Sequence, residues 1–144
     1  MAAKWQRKKI NIPDDFGPAD RELIAADIIE HIRLRTESGR NKKNRPFPKY
    51  SKEYIESLDF KIAGKKPGKV DLTLTGDMLI ALDLISHKKG ELLIGYENGT
   101  IENAKADGNI RGTYGNPSPI PGKARDFLGI TKKKLGEIVR SYRE

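Results

Sequence analysis

Residues 78–99 read MLIALDLISHKKGELLIGYENG, and whether this stretch is helix or strand decides the class of the fold. Met78 to Ile85 is apolar apart from Asp83, so it suits a buried helix or a buried strand, and periodicity alone does not separate the two. The flanks favour strand. His87-Lys88-Lys89-Gly90 has the composition of a hairpin turn into a second apolar run, Glu91–Tyr96, and Asn98-Gly99 is another turn signal. On the other side Val70, Leu72 and Leu74 alternate with Asp71, Thr73 and Thr75, the period of a half-buried strand, and Gly76-Asp77 breaks it. The reading is a strand from Val70, a short turn, a strand across about 80–86 and another over 91–96, forming an antiparallel meander.

Helices bracket this meander. Gly17-Pro18 opens the first, proline being well placed at the first helical position, with Asp20 and Glu22 at the positive end of the dipole. Leu23, Ile24, Ile28 and Ile32 follow helical spacing, Ala25, Ala26 and Ile29 widen the stripe, and Arg35's stem extends it. Arg33 and Arg35 fall near the C-terminal end, where cations are favoured, and Ser38-Gly39 closes the helix at about 38. His31 lies beside the stripe as a boundary or surface residue. At the far end Thr131 is a good N-cap for a closing helix with Leu135, Ile138, Val139 and Tyr142 on one face. Lys132, Lys133 and Lys134 occupy its first turn, where positive charge opposes the dipole by a few tenths to ~1 kcal/mol each. That conflict points to an acidic partner, with solubility as the plainer explanation.

The remaining segments are irregular. Residues 1–16 mix charges with the isolated anchors Trp5, Ile10, Ile12 and Phe16, and Pro13 argues against a central strand. They read as an extended N-terminal arm that packs over its own domain or reaches a neighbour, ahead of a single α+β domain over 17–144. Residues 39–50 form a basic loop in which Pro46 and Pro48 bracket Phe47. Ser51 looks like the N-cap of a short helix, SKEYIESL, with Tyr54, Ile55 and Leu58 facing inward, and Phe60 and Ile62 alternate before a polar turn. Residues 108–130, GNIRGTYGNPSPIPGKARDFLGI, combine glycines and prolines in a run expected to be neither helix nor central strand. Its anchors Ile120, Phe127 and Leu128 call for burial, so it reads as a shaped loop rather than a tether. The fold class expected is α+β: a long N-terminal helix and a C-terminal helix packed on a small antiparallel sheet.

Composition narrows the functional classes. The 144 residues suit one domain, and there are no cysteines, so neither a disulfide framework nor thiolate chemistry is available. The N-terminus shows positive charge without a following apolar stretch, so no secretory signal is expected, and no run is long enough to span a membrane. A soluble, intracellular product is expected. The net charge of +8 is uneven: residues 39–69 carry ten basic groups against three acidic, and 132–144 five against two. Lys42, Lys43, Arg45, Lys132, Lys133 and Lys134 are therefore the candidates to face an acidic partner or DNA. Phe47, Tyr50 and Tyr54 lie among these cations and would serve either as a base-stacking platform or as core anchors.

No catalytic constellation is visible. Two histidines, at 31 and 87, and no cysteine make no zinc-type ligand cluster. Both Gly-Lys pairs, Gly68-Lys69 and Gly122-Lys123, lack the Ser/Thr and the upstream glycine of a phosphate-binding loop. Asp71, Asp77 and Asp83 recur six apart and offer weak grounds for a Mg²⁺-dependent nuclease, since acids at turn edges are ordinary. The chain reads as non-enzymatic, with no cofactor.

The order of segments carries more than any one of them: the long helix, RPFPKYSKEY over Arg45–Tyr54, VDLTLTGDML over 70–79, IGYENGT over 94–100 and IPGKARDFLGI over 120–130. This order resembles the tailed-bacteriophage neck and tail-completion proteins, the phage virion morphogenesis or minor tail protein family. The matching positions are Phe47 with Ser51 and Tyr54, Leu72 with Thr75, Gly76 and Leu79, and Pro121 with Arg125, Phe127, Leu128 and Gly129. The family's tyrosine-bearing segment after the hairpin has no clear counterpart beyond Tyr96. The resemblance implies a structural protein that forms a homo-oligomeric ring at the head–tail junction of a virion, assembled in the host cytoplasm. It implies contacts with neighbouring neck, portal-side and tail proteins, non-specific contact with packaged DNA as an option, and no membrane. Under it Arg111, Tyr114, Ile120 and Arg125 are candidate subunit-interface residues. The rival is a small basic nucleic-acid-binding protein.

Overall fold

The computed structural model describes residues 3–47, 77–111 and 124–143. The expected helix over 51–58, the Phe60/Ile62 alternation, the strand from Val70 and the candidates Tyr114 and Ile120 lie outside them. Among the described residues the fold is α+β, as expected, with helices around a three-stranded antiparallel sheet. In chain order the elements are β1 (Arg7–Asn11), α1 (Pro18–Glu37), α2 (Asp77–Ile80), β2 (Asp83–Lys88), β3 (Glu91–Gly95), α3 (Ile101–Arg111) and α4 (Lys132–Ser141).

The sheet order is β1-β3-β2. β2 and β3 form the expected hairpin, turned by Gly90 at φ 78°, a conformation that glycine takes without strain. The N-terminal arm is built into the sheet: β1 pairs antiparallel with β3, with Ile10 opposite Leu92 and Arg7 opposite Gly95. Among the described residues it occupies a sheet edge, and Pro13 comes after it, where no ladder donor is lost. Gly95 permits this pairing, because a Cβ there would stand 2.5 Å from the Gln6 carbonyl oxygen and 2.6 Å from Arg7 Cα.

Helix α1 packs on β2 and β3 through Ile24, Ala25, Ile28 and Ile32, meeting Leu92 and Ile94 in one core with Phe16, Tyr96 and Phe127. Its end follows a Schellman pattern: Gly39 N–H donates to Thr36 O and Arg40 N–H to Arg35 O, with Gly39 at φ 90°. Helix α4 packs on α1 in the opposite direction, for its N-terminal Lys134 lies near His31 while Tyr142 reaches Asp27 and Arg143 reaches Asp15. Thr131 caps α4 as expected, its hydroxyl oxygen accepting from the Lys134 amide at 3.2 Å.

Three expectations are corrected. The strand expected across about 80–86 runs over Asp83–Lys88, after a helical turn at Asp77–Ile80, so His87 and Lys88, expected in the hairpin turn, belong to the strand. The run from Gly108 was expected to be non-helical, yet Gly108–Arg111 form the last turn of α3. Glycine weakens a helix by only about 1 kcal/mol, and the prolines that would forbid one begin further on, at Pro117. Leu23 and Ala26, placed on the buried stripe of α1 by spacing, are both exposed, since the helix buries a narrower arc centred on Ile28.

Candidate interaction surface

The surface is built where the end of α1 and the loop after it meet the segment that leads into α4. Arg35, in the last turn of α1, is buried, and its guanidinium donates to the carbonyl oxygens of Gly129 (2.7 Å) and Phe127. Burial pulls its pKa down to about 10, with the Asp126 carboxylate opposing, so it stays charged at neutral pH. Arg35 Nε has no hydrogen-bond partner. The cation expected to serve the helix dipole instead clamps the segment that leads into α4.

A second clamp lies beside it. Lys42 N–H donates to Asp126 O at 3.0 Å, its Nζ lies 2.7 Å from Asp126 Oδ2, and its stem rests against Gly129. A Cβ on Gly129 would stand 3.1 Å from that stem. The basic loop itself is tightly built. Asn41 Oδ1 accepts from the amides of Lys43 and Arg45, Asn44 turns the chain at φ 62°, and Arg40 bridges to Pro46. Phe47 is buried in the core, so of its two expected roles it takes that of core anchor rather than base-stacking surface.

These contacts gather cations from two distant runs. Lys42 is held by Asp126, whereas Lys43 and Arg45 project into solvent from the loop. Lys132 and Lys133 project from the first turn of α4, a few residues beyond Gly129, and Lys134 lies 3.6 Å from Glu137. Arg35 and Lys134 both add to the burial that lowers the pKa of His31. The result is one basic end of the molecule, strengthened by the positive pole of α4. Arg125 is half-buried at the start of the same segment, and Phe127 and Leu128 are buried as expected.

Arg111 is not part of this end. Its guanidinium makes a bidentate pair with Asp107, at 2.7 Å to each oxygen, one turn earlier in α3. Asp107 is buried, which raises its pKa, but hydrogen bonds from Arg111 and Gln6 outweigh burial and hold it below the ordinary value. Of the three acids weighed for metal binding, Asp77 starts α2 and Asp83 starts β2, where its carboxylate accepts from the Leu84 amide; Asp71 lies outside the described residues. Among the described residues, no three side chains of metal-ligating type gather.

Sequence reasoning missed the outward face of α1. Leu23 is 54% and Leu34 57% exposed, and the two lie eleven residues apart. At 100° per residue that spacing returns to within about 20° of the same meridian. Glu30 falls between them and Glu37 beyond, both exposed, with Asp20 and Asp27 along one flank. The signal was present in the chain, because Leu23 and Leu34 share a helical face that Ile24, Ile28 and Ile32 do not.

Comparison of the chain with known protein families, with curated proteins and with solved structures found no match. Among the described residues, no helix is long and apolar enough to cross a membrane.

Proposed function

We propose that this chain is a structural protein of a tailed-phage virion, a ring subunit at the head–tail neck that acts as a neck or tail-completion protein between the DNA-filled head and the tail. It works through its surfaces and without catalysis, and it is assembled in the host cytoplasm with neck, portal-side and tail neighbours. The order of segments supports the reading. So does the observation that carries it: the Arg125–Gly129 stretch, the last of the resembling segments, is clamped by Arg35 and Lys42 beneath an end that displays Lys43, Arg45, Lys132 and Lys133. An end of that kind suits contact with an acidic neighbouring surface. The test is immunolabelling of purified particles in the electron microscope, together with particles assembled without the chain. Label at the head–tail junction and heads that fail to join tails are expected; normal particles lacking the chain refute the proposal.

The same basic end favours one second reading, a nucleic-acid-binding protein. It predicts affinity for duplex DNA that falls steeply with salt and that is reduced by reversing Lys43, Arg45, Lys132 and Lys133. Fluorescence anisotropy that shows no binding at low salt eliminates it.

A further inference from the structure

We infer that the outward face of α1 in one copy of this chain seats on the basic end of a second copy. The inference rests on the reading of the chain as a ring subunit and names the two surfaces that meet.

The α1 face combines two features that a solvated helix face does not need. The first is the pair Leu23 and Leu34, more than half exposed on nearly one meridian and about 16 Å apart along the axis. The second is its charge. The exposed ionisable groups of α1 are Asp20, Glu22, Asp27, Glu30 and Glu37, whereas its arginines are turned to internal tasks. Arg21 donates to His87 and Phe16 O, Arg33 to the carbonyls of Leu79, Ile80 and Leu82, and Arg35 to those of Phe127 and Gly129. Three cations that composition would count on this helix are thereby spent on binding it to other segments. Its outer surface is left acidic although the chain is basic overall.

The occupant follows from charge and chemistry. The basic end offers Lys43, Arg45, Lys132 and Lys133 on long aliphatic stems. Such stems cover apolar side chains while their heads reach carboxylates, so they match leucines flanked by Glu30 and Glu37. A polyanion such as DNA is complementary to the basic end but is repelled by the α1 face, and it leaves the two leucines uncovered. A second copy satisfies both. The two surfaces are different patches of one chain, so the contact is heterologous and repeats head to tail, the geometry that closes into a ring when the rotation allows. Glu22 and Asp27 have partners within their own subunit, with His87 Nε2 3.6 Å from Glu22 and the Tyr142 hydroxyl 2.5 Å from Asp27, which leaves Asp20, Glu30 and Glu37, and of these Glu30 and Glu37 flank Leu34 as the main acceptors.

The test is a charge exchange on the full chain, read by sedimentation velocity at low and moderate salt. One variant carries Glu30→Lys and Glu37→Lys; the other carries Lys43→Glu, Arg45→Glu and Lys132→Glu. All five positions are exposed, and unchanged thermal melting shows that each variant is folded. Each variant alone is expected to associate at least tenfold more weakly than the wild type. An equimolar mixture is expected to associate again, because each reversed face then meets a reversed or native face of opposite sign. Leu34→Ser should weaken assembly without changing its salt dependence. A wild-type oligomer indifferent to both charge variants overturns this contact and leaves the ring reading standing. Variants that lose assembly but fail to recover it on mixing also overturn it. A wild type that stays monomeric at every concentration overturns the contact too, and the ring reading then stands or falls on the particle microscopy.

Discussion

Replacing Arg35 by methionine tests the central clamp. Methionine keeps most of the stem volume in the core but removes both donors, leaving the carbonyl oxygens of Phe127 and Gly129 without the guanidinium that now satisfies them. An unsatisfied buried acceptor costs about 1–3 kcal/mol. Relief from burying a charge with one unpartnered nitrogen works the other way, as the lowered pKa of Arg35 shows. The loss should win, because Gly129 O is left without a donor and Phe127 O keeps only the Gly129 amide at 3.1 Å, for a net loss of about 1–3 kcal/mol. At about 2–4 °C per kcal/mol for a chain of this size, melting should fall by about 6 °C. Urea denaturation gives the free energy, and amide hydrogen exchange locates it. The Lys42 amide, which donates to Asp126 O, should lose protection before the β3 amides do. Arg35→Lys, which retains the charge but not the fork, should fall between. A methionine variant as stable as the wild type would refute the clamp and make Arg35 a tolerated buried charge.

Three further outcomes follow from individual contacts. Gly95→Ala drives a Cβ into the backbone of Gln6 and Arg7, which cannot give way as a side chain can, so β1 should detach. Trp5, whose Nε1 donates to Tyr96 O at 2.6 Å, is the sole tryptophan, and its fluorescence should shift toward that of exposed indole in folded Gly95→Ala. Asp107→Asn weakens the pair with Arg111 and the bond from Gln6, and should cost about 1–3 kcal/mol by chemical denaturation, with unchanged stability as the contrary result. The Asp15 carboxyl, held down to about 2 by hydrogen bonds from Arg143, has a folded pKa below its unfolded one. Its contribution is therefore complete above about pH 4 and lost as pH falls toward 2, so the stability gap between wild type and Asp15→Asn should close over that window. A gap independent of pH would show that the pair contributes nothing through charge.

Where local chemistry decided the structure, the chain could be read directly. Pro18 and Gly39 bound α1, Thr131 starts α4, and Gly90 turns the β2–β3 hairpin, because each is settled by backbone preferences within a few residues. Helix α3 escaped notice for a physical reason. Of its buried positions, Asn103 and Asp107 are polar and Ala106 and Gly108 are small, so no broad apolar stripe marks them. The two polar ones are satisfied by the N-terminal arm, where Asn103 accepts from the Gln6 amide and donates to Lys4 O, and Asp107 accepts from the Gln6 side chain. Thr100, whose hydroxyl oxygen accepts from the Asn103 amide directly after the Asn98-Gly99 turn, was the available signal.

The candidate surface divides in the same way. The chain alone showed that cations cluster at 39–49 and at 132–134 and that the lysines of α4 oppose its dipole. It also showed that Phe127 and Leu128 call for a core. That the two clusters form one end was decided only by the tertiary structure, through Arg35 and Lys42 closing on residues 126–129. Which arginines remain available to a partner was decided there too. A helix-borne arginine looks the same in sequence whether it faces solvent or a buried carbonyl, and the difference rests on what another segment, far along the chain, brings within hydrogen-bond reach.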